Sequence, residues 1–98
     1  MERKATADFG LVTADTLVKT GEGYLFSISL AYKGVTAGEI CTVIDGLTVA
    51  GDDKLVFVFP AANGVVQLLF PEGKHFSTGI FFNKGATAGQ VWAEGQFR

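Results

Sequence analysis

An all-β domain is the fold this sequence predicts, and three observations carry that expectation. From Tyr24 to Tyr32 the large side chains fall on every second residue: Tyr24, Phe26, Ile28, Leu30 and Tyr32. The alternation returns in Ile40, Thr42 and Ile44 against Cys41, Val43 and Asp45, and again in Leu55, Phe57 and Phe59 against Lys54, Val56 and Val58. A period of two belongs to strands; a helix would scatter these residues around its axis. Third, the chain holds 13 Gly and 2 Pro, a balance that favours short strands and tight turns over helices or disorder.

Ninety-eight residues make one domain, near the lower limit of what folds on a single core without covalent staples. The apolar fraction of 48 %, with 9 Phe, suffices for that core. A β-sandwich of this size has many strand edges, so partner subunits are expected to contribute stability. A net charge of −2, with 8 basic and 10 acidic residues, argues against nucleic-acid binding, which needs a clustered basic excess. Arg3-Lys4 is the only local basic cluster. One Cys and one His exclude an internal disulfide and a Cys/His metal cluster. No apolar run approaches the roughly 20 residues of a membrane span. Residues 1–8 lack the hydrophobic stretch of a secretory signal. The chain is therefore expected to be made in a reducing cytoplasm, and used there or assembled there into something that later leaves.

In chain order, Met1 to Asp8 is polar and without periodicity. It reads as a frayed terminus or as an arm ordered against a partner, with the domain proper at 9–98. Phe9–Val12 and Thr16–Lys19 are a bent first strand or two short ones. Thr20-Gly21-Glu22-Gly23 is a turn. The runs on either side of Lys33-Gly34-Val35-Thr36-Ala37-Gly38 read as a β-hairpin with a longer loop, the central ribbon of the domain. Asp45-Gly46 invites a tight turn, and Leu47–Val49 continues as a short edge segment. Lys54–Phe59 is apolar on both faces, which predicts a strand interior to the assembly on both sides. Asn63-Gly64 ends the next turn. Val65–Phe70 follows, with Val66, Leu68 and Phe70 on one face. Pro71-Glu72-Gly73-Lys74 reads as a surface turn, and His75–Asn83 as a strand kinked at Gly79. Gln90–Phe97 sets Val91, Ala93 and Phe97 against Trp92, Glu94 and Gln96. Lys33–Glu39 is echoed by Lys84–Gln90, as two hairpins with the same loop chemistry or as an approximate repeat of a strand-loop-strand unit.

No constellation of catalytic residues emerges. His75 has no base or nucleophile partner in any recognised motif and reads as a surface or half-buried strand residue. Cys41 sits in an alternating strand and is expected to be an inert buried hydrophobe. Glu39, Asp45, Asp52 and Asp53 are solvated loop acids or, at the outside, carboxylates gathered on a calcium ion, although their spacing fits no metal loop. Gly-x-Gly-x-x-Gly, Walker-type and Gly-x-Ser-x-Gly motifs are all missing. Trp92, on the polar side of the last strand, is an interface anchor or a cap on one end of the core.

From about Gly23 onward the chain resembles the small β-domains of virion structural proteins from tailed bacteriophages. The resembling stretches are GYLFSISLAYKGVTAGE, the strand ending in Asp45-Gly46, the Phe59-Pro60-Ala61-Ala62-Asn63-Gly64 turn, Phe70 to Ile80, and the closing C-terminal strand. The resemblance implies one β-sandwich, jelly-roll-like, of about eight short antiparallel strands. It also implies a non-catalytic capsid decoration (cement) protein on the capsid exterior, a homotrimer that binds and stabilises the shell of major capsid protein without cofactor, nucleic acid or membrane. Arg3, Lys4, Phe9, Tyr32 and Trp92 are then the candidate capsid or subunit contacts. A tail or fibre module, receptor- or carbohydrate-binding, is the alternative, with Tyr32, Asp52 and Asp53 as its faint candidate cluster.

Overall fold

The computed structural model describes residues 7–85 and 88–98. Eight strands form: β1 (Ala7–Val12), β2 (Thr16–Thr20), β3 (Gly23–Lys33), β4 (Ile40–Asp45), β5 (Asp52–Val58), β6 (Gly64–Phe76), β7 (Gly79–Asn83) and β8 (Gln90–Phe97). They make two four-stranded sheets, ordered β1-β8-β3-β6 and β2-β7-β4-β5, with every pairing antiparallel. This is the strand order of a jelly roll, and the expected sandwich of eight antiparallel strands is the observed fold. The first strand begins at Ala7, paired with Phe97, so Ala7 and Asp8 belong to the sandwich and not to an arm.

The sandwich is filled by one apolar layer. Phe59, Phe76, Phe82, Leu25, Ile80 and Val91 are fully buried, joined by Ile28, Leu30, Tyr32, Val43 and Ala93. Tyr32, Phe57 and Phe59 close one end of the layer as a ring cluster, with centroids 4.8 to 5.8 Å apart. Phe9 enters from β1 against Phe97 at 6.3 Å. Its ring occupies the space inside Gly95, where a Cβ would strike the Ser27 carbonyl oxygen and lie 2.8 Å from a Phe9 ring carbon.

Five local expectations are corrected. The runs flanking Lys33–Gly38 are not a hairpin: β3 and β4 lie in different sheets. Alternation shows that both are strands, but it carries no information about which strand pairs with which. Second, a bulge between Leu25 and Ser27 shifts the phase of β3. Leu25 therefore joins Ile28, Leu30 and Tyr32 in the core, while Tyr24 and Phe26 stay half-buried beneath the Arg98 guanidinium, 5.7 and 5.2 Å from their ring centres. Third, β6 runs through Pro71-Glu72-Gly73 as an irregularity of one long strand, and the reversal falls at Ser77-Thr78. Fourth, within one subunit only one face of β5, which lies at the sheet edge, is covered: Leu55 and Phe57 pack inward, and Val56 and Val58 are exposed. Fifth, Leu47–Val49 belongs to the β4–β5 loop rather than to a strand, and Ile44 is buried outside the main core, its Cγ2 beside Gly46 and Gly51 of that loop.

The connections are tied together at the two ends of the sandwich. At one end Asp15 Oδ1 accepts from the N–H groups of Lys84 (2.9 Å) and Gly85 (3.3 Å), and Asn63 Oδ1 accepts from Gly34 N–H (3.0 Å). The two echoed loops meet here. Gly34 and Gly85, then Gly38 and Gly89, hold matching positive φ values of 70°, 72°, 93° and 82°. Each loop carries the chain from one sheet to the other, so neither closes a hairpin; of the second loop, Ala86 and Thr87 lie outside the described residues.

Gly95→Ala forces a methyl into a space held by backbone and the Phe9 ring. Urea denaturation is expected to show a loss of about 1–3 kcal/mol. Gly10→Ala, whose Cβ would meet nothing within 4 Å, is expected to leave stability within about 0.5 kcal/mol.

Candidate functional site: two unlike outer faces

Residues in register across a sheet share a face, so the pairing defines what each outer surface presents. On the β2-β7-β4-β5 sheet, Leu17 pairs with Phe81 and Phe81 with Ile44; Asn83 pairs with Thr42 and Thr42 with Val56; Ile40 pairs with Val58. None of these eight side chains ionises; the exposed Asp53, in register with Ile44, puts a carboxylate at the β5 edge of the row. Val56 (54 %), Val58 (53 %), Ile40 (47 %) and Leu17 (42 %) are open to solvent. The Thr42 hydroxyl, at the centre, is buried without a hydrogen-bond partner among the described residues. An antiparallel sheet with a solvated face ordinarily alternates apolar-in and polar-out. This face does not.

The β1-β8-β3-β6 sheet does the opposite. Its outer rows are Trp92–Ala31–Val65, Glu94–Ser29–Gln67 and Gln96–Ser27–Leu69, with Asp8 in register with Gln96 at the β1 edge. Small side chains at Gly10, Ser27 and Ser29 leave the middle low. Phe26 and Phe70–Pro71, at the strand irregularities, line one end. The result is an open groove of about 1200 Å³ crossing all four strands. Leu69 is the exposed apolar residue of its β6 side, at 63 %.

The sequence-derived contact residues divide. Trp92 is half-buried on the outer face of β8, one row from Glu94. Phe9 and Tyr32 are core residues, with Phe9 reaching the groove lining at the β1 side; one-face alternation cannot tell a core aromatic from a contact aromatic. Arg3 and Lys4 lie outside the described residues. The residues that sequence reasoning missed are Ser27, Ser29, Gln67 and Val58; only pairing across strands brings them into shared rows, and no linear motif marks them.

The acidic residues do not gather. Glu39 precedes β4 and Asp45 ends it, which puts them at opposite ends of that strand, and among the described residues no three His, Cys, Asp or Glu side chains come together. Asp45 instead holds the β6–β7 turn. It accepts from Ser77 N–H (2.9 Å), Ser77 Oγ–H (2.9 Å), Thr78 N–H (2.7 Å) and Gly79 N–H (3.3 Å). Desolvation pushes its carboxyl upward, but the Ser77 and Thr78 amides, the Ser77 hydroxyl and the Gly79 amide outweigh that and hold it at about 2. Asp52, in register with Asp45, and Asp53 are exposed. Burial pushes the Cys41 thiol up to about 11, so the thiolate is suppressed. His75 Nε2 meets Glu22 Oε2 at 2.6 Å on the surface, with the imidazole 5.1 Å from the Tyr24 ring centre. An ion pair so exposed contributes little.

With this geometry established, comparison with family models, with curated proteins and with solved structures finds no match.

The lowered Asp45 acidity has a pH signature. A carboxyl whose folded pKa lies below its unfolded value adds stability that is complete above about pH 4 and is lost as pH falls through about 2. Asp45→Ala is expected to lower stability by roughly 1–3 kcal/mol at pH 7. In thermal melts, the gap from the parent should close between about pH 4 and pH 2.

Proposed function

We propose that this chain is a non-catalytic structural subunit of a tailed-phage virion, a decoration protein that binds the shell of major capsid protein as a homotrimer. The observation that carries the reading is the largely apolar outer face of the β2-β7-β4-β5 sheet, on which Leu17, Ile40, Val56 and Val58 are exposed. Burying Leu17, Phe81, Ile40, Val56 and Val58 against sister subunits removes apolar surface from water, while Asp53 at the β5 edge stays at the solvated rim. Jelly rolls are used in viral capsid domains, so the fold is compatible with that setting. A thin sandwich whose ends are stitched by loop hydrogen bonds is a rigid unit to lay on a lattice, where many modest contacts add through multivalency. A tail or fibre module is the second reading, favoured by the polar groove on the other sheet.

Light scattering of the purified protein is the test. A solution mass three times that of the chain is expected, with Val58→Glu and Leu17→Glu each shifting it to the monomer while the β-sheet circular dichroism is kept. A monomeric parent protein overturns the homotrimer.

A further inference from the structure

We propose that the groove on the outer face of the β1-β8-β3-β6 sheet is a binding site for a neutral oligosaccharide. The inference does not rest on the trimer, because the groove lies on the sheet facing away from the proposed subunit contact. Its chemistry selects the ligand. The floor carries the hydroxyls of Ser27 and Ser29, flanked in register by the amides of Gln67 and Gln96 and the carboxylate of Glu94. These groups offer hydrogen-bond donors and acceptors side by side, which is what a polyhydroxylated chain satisfies at both ends of each O–H.

The alternatives fit less well. The ionisable groups of the groove are Asp8, Glu94 and Arg98, and the Arg98 guanidinium already lies over the Phe26 and Tyr24 rings. Two carboxylates and one engaged cation repel phosphate or sulfate. An extended peptide gains its backbone hydrogen bonds at a sheet edge, whereas here the strands beneath the groove are paired with one another. A wholly apolar ligand would leave the serine, glutamine and glutamate groups without partners. The groove volume of about 1200 Å³ slightly exceeds the roughly 300–1,000 Å³ of small-molecule pockets and is open at the surface, which suits several sugar residues of a chain. Apolar carbons of Leu69, Phe70 and Pro71 line the β6 side, where the C–H face of a pyranose ring would lie.

The test is amide NMR of the ¹⁵N-labelled protein titrated separately with linear hexasaccharides of glucose, mannose, galactose and N-acetylglucosamine, to about 10 mM. At least one is expected to shift the amides of Ser27, Ser29, Gln67, Glu94 and Gln96, with a dissociation constant near 1 mM. Ser29→Phe, which fills the floor, should abolish those shifts. Gln67→Ala, an exposed truncation that leaves the sheet intact, should weaken binding about tenfold. No shifts with any of the four sugars overturns the site. Undiminished binding in both variants does so too, as does preferential binding of dextran sulfate over the neutral chains. None of these results bears on the solution mass, so the site and the trimer fail separately.

Discussion

The structure depends on a constraint of winding: apart from the β4–β5 link, each strand hands the chain to the opposite sheet. A hairpin satisfies its own turn through the ladder it closes, but a connection between sheets leaves backbone N–H groups without a strand partner. Here side chains supply the missing acceptors. Asp45 takes the amides of residues 77–79, Asp15 those of 84 and 85, and Asn63 that of Gly34. Backbone bonds complete the stitching, with Val35 N–H on the Ala62 carbonyl and Gly21 N–H on that of Thr78. Each of these contacts joins segments far apart in the chain, which makes the end loops part of the tertiary structure and not decoration upon it.

That winding also sets what the outside of the molecule can be. Both sheets turn one face to a single apolar layer, and each has a second face free to diverge. One diverged toward mostly apolar β-branched and aromatic residues, the other toward serines, glutamines and carboxylates over a shallow depression. Packing and recognition are thereby separated by the thickness of the sandwich, and a change on one face need not pass through the other. The reactive groups that do exist are occupied or shielded: Asp45 by turn amides, Cys41 by burial, His75 by Glu22 in solvent.

Irregularities in the strands do as much as the strands themselves. The bulge after Leu25 rotates Tyr24 and Phe26 out of the core and under Arg98, whose backbone bonds Tyr24 in both directions at 2.8 Å. The same bulge and its counterpart in β6 lie at one end of the groove. Gly95, with no side chain, lets the Phe9 ring close the core behind it. A perfectly regular sheet would have buried Tyr24 and Phe26.

What the sequence determined by itself is local: the all-β class, the strand positions within a few residues, and the inward sets Val66-Leu68-Phe70 and Val91-Ala93-Phe97. These follow from the alternation of Cβ directions along one strand, a property each segment carries alone. Pairing is not such a property. Only the tertiary structure decided that β3 and β4 part company, that Phe9 and Tyr32 belong to the core, and that Val56 and Val58 face outward on an edge. It also decided which serines and glutamines share a row. The reason is physical: an alternating strand offers the same backbone edges to every other strand, and the choice among partners rests on the summed packing of the whole layer.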